Sequence, residues 1–273
     1  MNLTELVRHT LAEDIGLGDV TTDACVSATS ISSARIYAKE SIVVSGHDAA
    51  AEVFRQLGCT YEAVAADGAF AGGPNDDTVA TVRGRHRALL TGERAALNFL
   101  MHLSGVATHV KRITHAAPQL RVVDTRKTTP LLRSLEKAAV RHGGGANHRF
   151  GLFDGVLIKD NHIVAAGGIA AAVQKARASA HPLLRVEVEV ENLDELNQAI
   201  AAGADDILLD NMDDATLTEA VAITAGRARL EVSGGITRER LPFLATLGVH
   251  RVSMGGLIHQ AKWVDLSMRI DAE

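Results

Sequence analysis

Aromatic side chains are scarce in this 273-residue chain, with six Phe, two Tyr and one Trp. Because Ala and Gly are abundant instead, the composition disfavours a β-sandwich and suits helices packed closely on parallel strands. Cysteine is almost missing too. Cys25 and Cys59 stand alone, in no C-x-x-C or Cys/His spacing, so a disulfide framework and a zinc site are not expected, and reduced thiols in the cytoplasm are. No apolar run approaches the ~20 residues that span a bilayer. The start, Met1 to Leu17, carries Glu5, Glu13 and Asp14 without a basic leader, so neither membrane insertion nor export is expected. A basic excess is lacking as well. The formal charge is −5, which argues against nucleic acid as a partner.

What is present is repetition. Short β-branched runs at Val186–Glu189, Ile207–Asp210, Leu230–Ser233 and Val252–Gly255 each end on a polar residue or glycine, and those ends lie 21, 23 and 22 residues apart. That is the length of a strand-loop-helix-loop unit. Helix signals fill the gaps: Asn192 ahead of Leu193, Leu196 and Ile200 with Gly203 closing, and Thr237 ahead of Leu241 and Leu244 with Gly248 closing. Val122–Val123 before Asp124 and Val156–Ile158 before Lys159 fit the same scheme. Six parallel strands are therefore expected, their C-terminal ends forming a charged and polar ring of Asp124, Lys159, Glu189, Asp210, Ser233 and Gly255 at the mouth of an α/β barrel. The segment is short of the ~200 residues of eight βα units, so a shortened barrel is expected over 118–264.

The preceding part, 1–117, reads as an α+β module, with the last residues 265–273 as a candidate completion. It offers a helix near the start, a strand over Arg35–Ala38, a helix over Asp48–Leu57, and a turn cluster at Gly72–Asp76 between strands. His86–Ala116 reads as helical sequence interrupted by Gly92 and Gly105.

Charge is uneven along the chain. Between Arg121 and His162 eight basic residues face four acidic ones. Arg133, Lys137 and Arg141 recur at four-residue spacing beside Glu136 and read as a solvated helix face. Arg126, Lys127, Arg149 and Lys159 instead occupy strand ends and irregular sequence, where cations facing one mouth suit a small di-anion. Gly143–Gly145 is either the cap of the preceding helix or part of that loop. Glu187 and Glu189 share one strand face, and Glu189 with Asp210 offers hard oxygen ligands for Mg²⁺, or an internal salt bridge to Lys159 or Arg126. Ser233-Gly234-Gly235 and Gly255-Gly256 follow the last two strands, where such barrels hold phosphate.

Taken together, Glu13 to Thr22, Leu90-Thr91-Gly92-Glu93-Arg94, Asp124-Thr125-Arg126-Lys127-Thr128, Gly143 to Arg149, Ile158-Lys159-Asp160-Asn161-His162 and Leu209-Asp210-Asn211-Met212 make the chain resemble, end to end, the quinolinate phosphoribosyltransferase family. The resemblance implies an N-terminal α/β-sandwich domain, a shortened TIM-like barrel, and a homodimer with shared active sites, open to higher assembly. It implies quinolinate and phosphoribosyl pyrophosphate as substrates, Mg²⁺ as cofactor, and nicotinate mononucleotide, pyrophosphate and CO₂ as products of a step in NAD biosynthesis. By motif, Lys127, Lys159, Glu189 and Asp210 are the implied catalytic residues, the last two on the metal. Arg126, His148, Arg149, Thr125 and a partner's Arg94 bind substrate, and the terminal glycine loops take phosphate. Nothing in charge or spacing alone distinguishes Arg94 from an ordinary helix arginine. Leu131 stands where the family has Gly, and Gly256, Ile258 and Gln260 replace its Ala, Thr and Ser. The nearest rival is a related transferase-like protein of molybdate-transport type, and more distant ones are a Schiff-base aldolase using Lys159 and a barrel that only binds phosphorylated metabolites.

Overall fold

The computed structural model describes residues 1–73 and 77–271. The described residues fall into two compact units, one of Met1–Lys111, Thr128–Gly144 and the segment from Leu257, the other of Arg112–Lys127 and Gly145–Gly256.

The first unit opens with α1 (Leu3–Ile15), whose start is fixed by Asn2 and Glu5 exchanging hydrogen bonds in a capping box, and α2 (Val20–Cys25), capped by Asp19. Then follow β1 (Ile31–Ala38), β2 (Ile42–Val43), α3 (His47–Gln56), β3 (Thr60–Ala63), β4 (Phe70–Ala71) and β5 (Thr78–Arg85). Of the predicted turn cluster Gly72–Asp76 between β4 and β5, Gly72 is left-handed at φ 90, and residues 74–76 lie outside the described residues. α3 buries Ala49, Ala50, Val53 and Phe54 on one face, in a core with Ile36, Leu89, Leu97 and Leu100. A fully buried Phe such as Phe54 contributes roughly 1.5–3 kcal/mol over its exposed state.

Helix α4 (His86–Thr114) runs unbroken for 29 residues, which corrects the expectation that Gly92 and Gly105 interrupt it. Both glycines answer to packing. A Cβ on Gly92 would lie 2.7 Å from the Leu57 side chain, and one on Gly105 would lie 2.2 Å from the Lys262 carbonyl oxygen. Helical glycine costs about 1 kcal/mol against alanine, less than the clash it prevents.

The second unit begins its sheet with β6 (Val122–Val123). Next in sequence, α5 (Arg133–His142) packs within the first unit and overturns the solvated-face reading, because Glu136 and Lys137 are buried there while Arg141 is exposed. Glu136 accepts from His102 Nε2 at 2.8 Å and from the Thr129 N–H at 2.9 Å, and its carboxyl is held below its usual range: burial opposes ionisation, and these hydrogen bonds outweigh it. Period alone marks a helix face without saying which way it points.

The βα alternation then proceeds through β7 (Val156–Ile158), α6 (Asp160–Ala166), α7 (Ile169–Ser179), β8 (Val186–Val190), α8 (Leu193–Ala201), β9 (Asp206–Asp210), α9 (Asp214–Thr224), β10 (Arg229–Ser233), α10 (Leu241–Thr246) and β11 (Arg251–Ser253). Asn192 caps α8 as its position predicts, accepting the Glu195 N–H. The six strands are parallel, in the order β6-β11-β10-β9-β8-β7. β6 and β7 do not pair, which is the incomplete closure that the chain length predicts. Strong curling is evident from Arg251 on β11, which reaches Glu187 on β8 at 2.7 Å. Three strand spacings in a flat sheet would separate them by about 14 Å.

After α11 (Gly256–His259), β12 (Leu266–Ile270) returns to the first unit, whose antiparallel sheet runs β12-β1-β5-β3. Among the described residues no helix is long and apolar enough to cross a membrane.

Candidate active site

Because the six strands are parallel, their C-terminal ends meet at one mouth, and the βα-loops there carry the candidate residues. Lys159, the residue after β7, places Nζ 2.5 Å from Glu189 Oε2 on β8. The salt bridge left open by the sequence is thus made, and it leaves Glu189 Oε1 at the same half-buried position. On β9, Asp210 Oδ2 accepts from the Asn211 side-chain amide at 2.6 Å. Asn211 itself is left-handed at φ 55 and donates its N–H to the Ser233 carbonyl at 3.0 Å. Gly234 is required beside it: its φ is 86, and a Cβ would lie 2.2 Å from Asn211 Oδ1. Asp210, Asn211 and the Ser233-Gly234-Gly235 loop are therefore one interlocked edge of the mouth.

The β6 end contributes Thr125, Arg126 and Lys127. Thr125 Oγ1 accepts the Lys127 N–H at 3.1 Å, tightening the turn. The Lys127 side chain lies on the bare backbone of Gly255, where a Cβ would meet its Cδ at 2.8 Å. Arg149 is half-buried; burial and the charge of Arg126 lower its pKa, while Glu187 and Asp154 oppose them. Arg126 is thus close enough to act on Arg149, and the two guanidinium groups concentrate positive charge that an anion would offset.

Beneath the mouth lies a second layer, of which the sequence reading named Asp124, His148 and Glu187 but not the residues that join them. Asp124, assigned above to the polar ring, is fully buried and braces the chain: it accepts from Asn147 Nδ2 at 2.6 Å and from the His148 N–H at 2.9 Å. The His148 ring points into the lumen, with Nε2 3.2 Å from Glu187 Oε2 and 3.5 Å from Glu231 Oε2. Arg251 spans the same two carboxylates, binding Glu231 closely and Glu187 at 2.7 Å, and continues to Asp206 at 3.2 Å. Arg185 and Arg229 hold Asp206 from its other sides, at 2.6 and 2.8 Å.

Electrostatics follows from this stack. Burial works against the charged form of His148, but Glu187 and Glu231 outweigh it and raise its pKa to about 9. In the arrangement observed, Nδ1 accepts the Arg149 N–H at 2.7 Å, so the ring proton is on Nε2 and a second proton requires that amide to turn away. For Glu231 burial again opposes charge, and His148 and Arg251 hold the carboxyl down at about 2. His148, Glu187 and Glu231 offer ligand atoms within 4.8 Å of one another, as a metal site would. Arg251 already neutralises both carboxylates, so a dication there would face its repulsion.

Every predicted site residue except Arg94 belongs to the second unit; Arg94 is exposed on α4 of the first. Glu231, Arg251 and Asp206 were missed although a signal exists. Polar residues alternate along Arg229-Leu-Glu231-Val-Ser233 and Arg251-Val-Ser253, the period of a strand with one face to a polar lumen.

Comparison with known proteins agrees with this architecture. The family model described as quinolinate phosphoribosyl transferase, C-terminal domain, matches residues 106–269, and its N-terminal counterpart matches 19–104. The chain is 41% identical over 274 residues to a probable nicotinate-nucleotide pyrophosphorylase (carboxylating) of Bacillus subtilis, covering 99% of this chain and 94% of that one. It is 43% identical over 265 residues to a protein of the same name from Synechocystis, covering 95% and 90%. The solved nicotinate-nucleotide pyrophosphorylase of Francisella tularensis superposes with a TM-score of 0.93 at 41% identity, over 98% of this chain and 96% of that one.

Proposed function

Because the chain belongs to the quinolinate phosphoribosyl transferase family, we propose that it converts quinolinate and phosphoribosyl pyrophosphate to nicotinate mononucleotide, pyrophosphate and CO₂, in de novo NAD biosynthesis. The observation that carries this reading is the pairing of Arg126 and Arg149 cations with the Lys159–Glu189 pair at one barrel mouth. Quinolinate brings two adjacent carboxylates, which planar guanidinium forks bind in pairs.

In the first step the ring nitrogen forms a bond to ribose C1 as the bond from C1 to the pyrophosphate oxygen breaks, and that oxygen keeps the electron pair. Positive charge on the ribose is balanced by Glu189 and Asp210, while Lys127 and Lys159 neutralise the anions around it. In the second step the bond from C2 to its carboxylate breaks. The quaternised nitrogen receives the electron pair as sink, CO₂ leaves, and C2 takes up a proton. Arg149, held from behind by His148, orients the carboxylates, Thr125 shapes the turn beneath them, and Ser233-Gly234-Gly235 with Gly255-Gly256 offer main-chain N–H groups to phosphate.

Glu189 and Asp210 each have one carboxylate oxygen engaged within the protein and another left over, a hard-oxygen donor pair that fits Mg²⁺. Bound there, Mg²⁺ would supply charge neutralisation for the departing pyrophosphate. The enzyme acts as a cytoplasmic homodimer in which Arg94 of the partner subunit completes the pocket.

The test is an assay with quinolinate, phosphoribosyl pyrophosphate and Mg²⁺, following mononucleotide and CO₂ together. Equal yields of both support the reading. Turnover of nicotinate with none of quinolinate sinks it.

A further inference from the structure

We propose that Glu231, together with Glu187, is a positioning residue of this site: from inside the barrel it holds the His148 ring, and through that segment it sets the Arg149 that grips substrate. The inference rests on the reading of Arg149 as a carboxylate-binding residue.

Residues 147–149 belong to no helix or strand, so their placement depends on side-chain anchors. Two walls of the lumen supply them. From β6, the buried Asp124 carboxylate takes the Asn147 amide and the His148 N–H. From β8 and β10, Glu187 and Glu231 take the opposite end of His148, at Nε2. The ring's remaining nitrogen accepts the N–H of Arg149, so the next residue's main chain is tied to the ring that the glutamates hold. Arg149 completes the loop with Nη1 on the Gly155 carbonyl at 3.1 Å.

Glu231 is itself immobile. Its side chain is 1% exposed, and Arg251 binds it while spanning to Glu187 and Asp206. Asp206 is clamped in turn by Arg185 and Arg229 at the foot of the strands. The result is a chain of charged contacts from the bottom of the barrel to the segment carrying Arg149. A lumen filled only for stability is served better by aliphatic side chains, because buried ion pairs rarely repay their desolvation. Barrel interiors of this class are filled mainly by Val, Ile and Leu. A charged stack that terminates on one ring beside a substrate-binding arginine is placed to orient, and both ring nitrogens are already spoken for by the protein.

A double-mutant cycle tests it. Glu231→Gln keeps shape and reach but removes the charge that pairs with Arg251. We expect it to raise KM for quinolinate roughly tenfold while KM for phosphoribosyl pyrophosphate stays within about twofold. Arg149→Ala raises quinolinate KM by itself, and the double variant is then no worse than Arg149→Ala, because Glu231 acts through that side chain. Additive effects, equal changes in both KM values, or unchanged kinetics in Glu231→Gln would overturn the proposal. If Arg149→Ala leaves quinolinate KM unaltered, it is the site reading that fails. Should Glu231→Gln not fold, Glu187→Gln runs the same cycle. Loss of the fold in both would make the stack a stability element and end the proposal.

Discussion

The carboxylate of Asp124, wholly buried at the end of β6, accepts the main-chain N–H of His148 from 2.9 Å away. A strand-end aspartate in a barrel is ordinarily read as facing the mouth, and here it faces inward to hold a loop. Asp124→Asn would set an amide N–H₂ against donors that need an acceptor. The expected loss is about 1–3 kcal/mol of stability for the unsatisfied buried groups. Chemical denaturation of the variant and wild type side by side checks this, and an unchanged midpoint would refute it.

Burial and the neighbouring charge of Arg126 lower the pKa of Arg149. Replacing either by Ala is expected to lower kcat/KM for quinolinate at least ~100-fold, about 2.7 kcal/mol, with the fold retained. Steady-state kinetics with circular dichroism separates loss of binding from loss of structure.

Arg94, exposed on its helix, gives a prediction of a different kind. If a partner donates it, Arg94→Ala and Lys159→Ala are each inactive, but mixing them forms hybrid dimers in which one site carries neither substitution. Activity should return to about a quarter of wild type on statistical pairing of subunits. No recovery after confirmed subunit exchange would count against shared sites.

The lumen stack, together with Glu136 of the first unit, makes the protein acid-sensitive in a defined window. Glu231 is held at about 2 and Asp206 and Glu136 are held below their usual values, so all three are more acidic folded than unfolded. Their contribution is present above the unfolded carboxylate range and is lost as pH falls from about 4.5 towards 2. Thermal unfolding across that range should show a steep decline, flattened in Glu231→Gln. A parallel slope in the variant would exclude Glu231 as a source.

Leu131 has φ 68, one of three non-glycine residues in the left-handed region among the described residues, and its side chain is exposed. This is the position at which the resemblance drawn from the sequence implied a glycine. A β-carbon there costs about 1–2 kcal/mol, against roughly 0.5–1 kcal/mol of chain entropy that glycine loses. Leu131→Gly should therefore raise the melting temperature by a few degrees; a fall would show that the leucine makes a contact worth more than its strain.

The six parallel strands were legible because each ends where its β-branched run ends, at Lys159, Asp210 or Ser233, with a glycine or cap between units. Gly92 misled because sequence shows its low helix propensity and not the Leu57 side chain that needs the space. Glu136 misled for a similar reason: the four-residue spacing of Arg133, Lys137 and Arg141 beside it is the same whether the face meets water or His102. The mouth cations were found as a local excess of charge. The layer below was not, since Glu231 and Arg251 are electrically balanced and leave no excess to notice.

That balance has a consequence for how deep a ligand can sink. The rim of the barrel offers cations, and one strand step further in, the same lumen presents Glu187 and Glu231 with Arg251 already committed between them. An anion drawn to the rim would find below it, in Arg251, a cation already matched by carboxylates. The wall of the lumen thus changes character with depth, from Arg126 and Arg149 at the rim to a matched set of ion pairs beneath it.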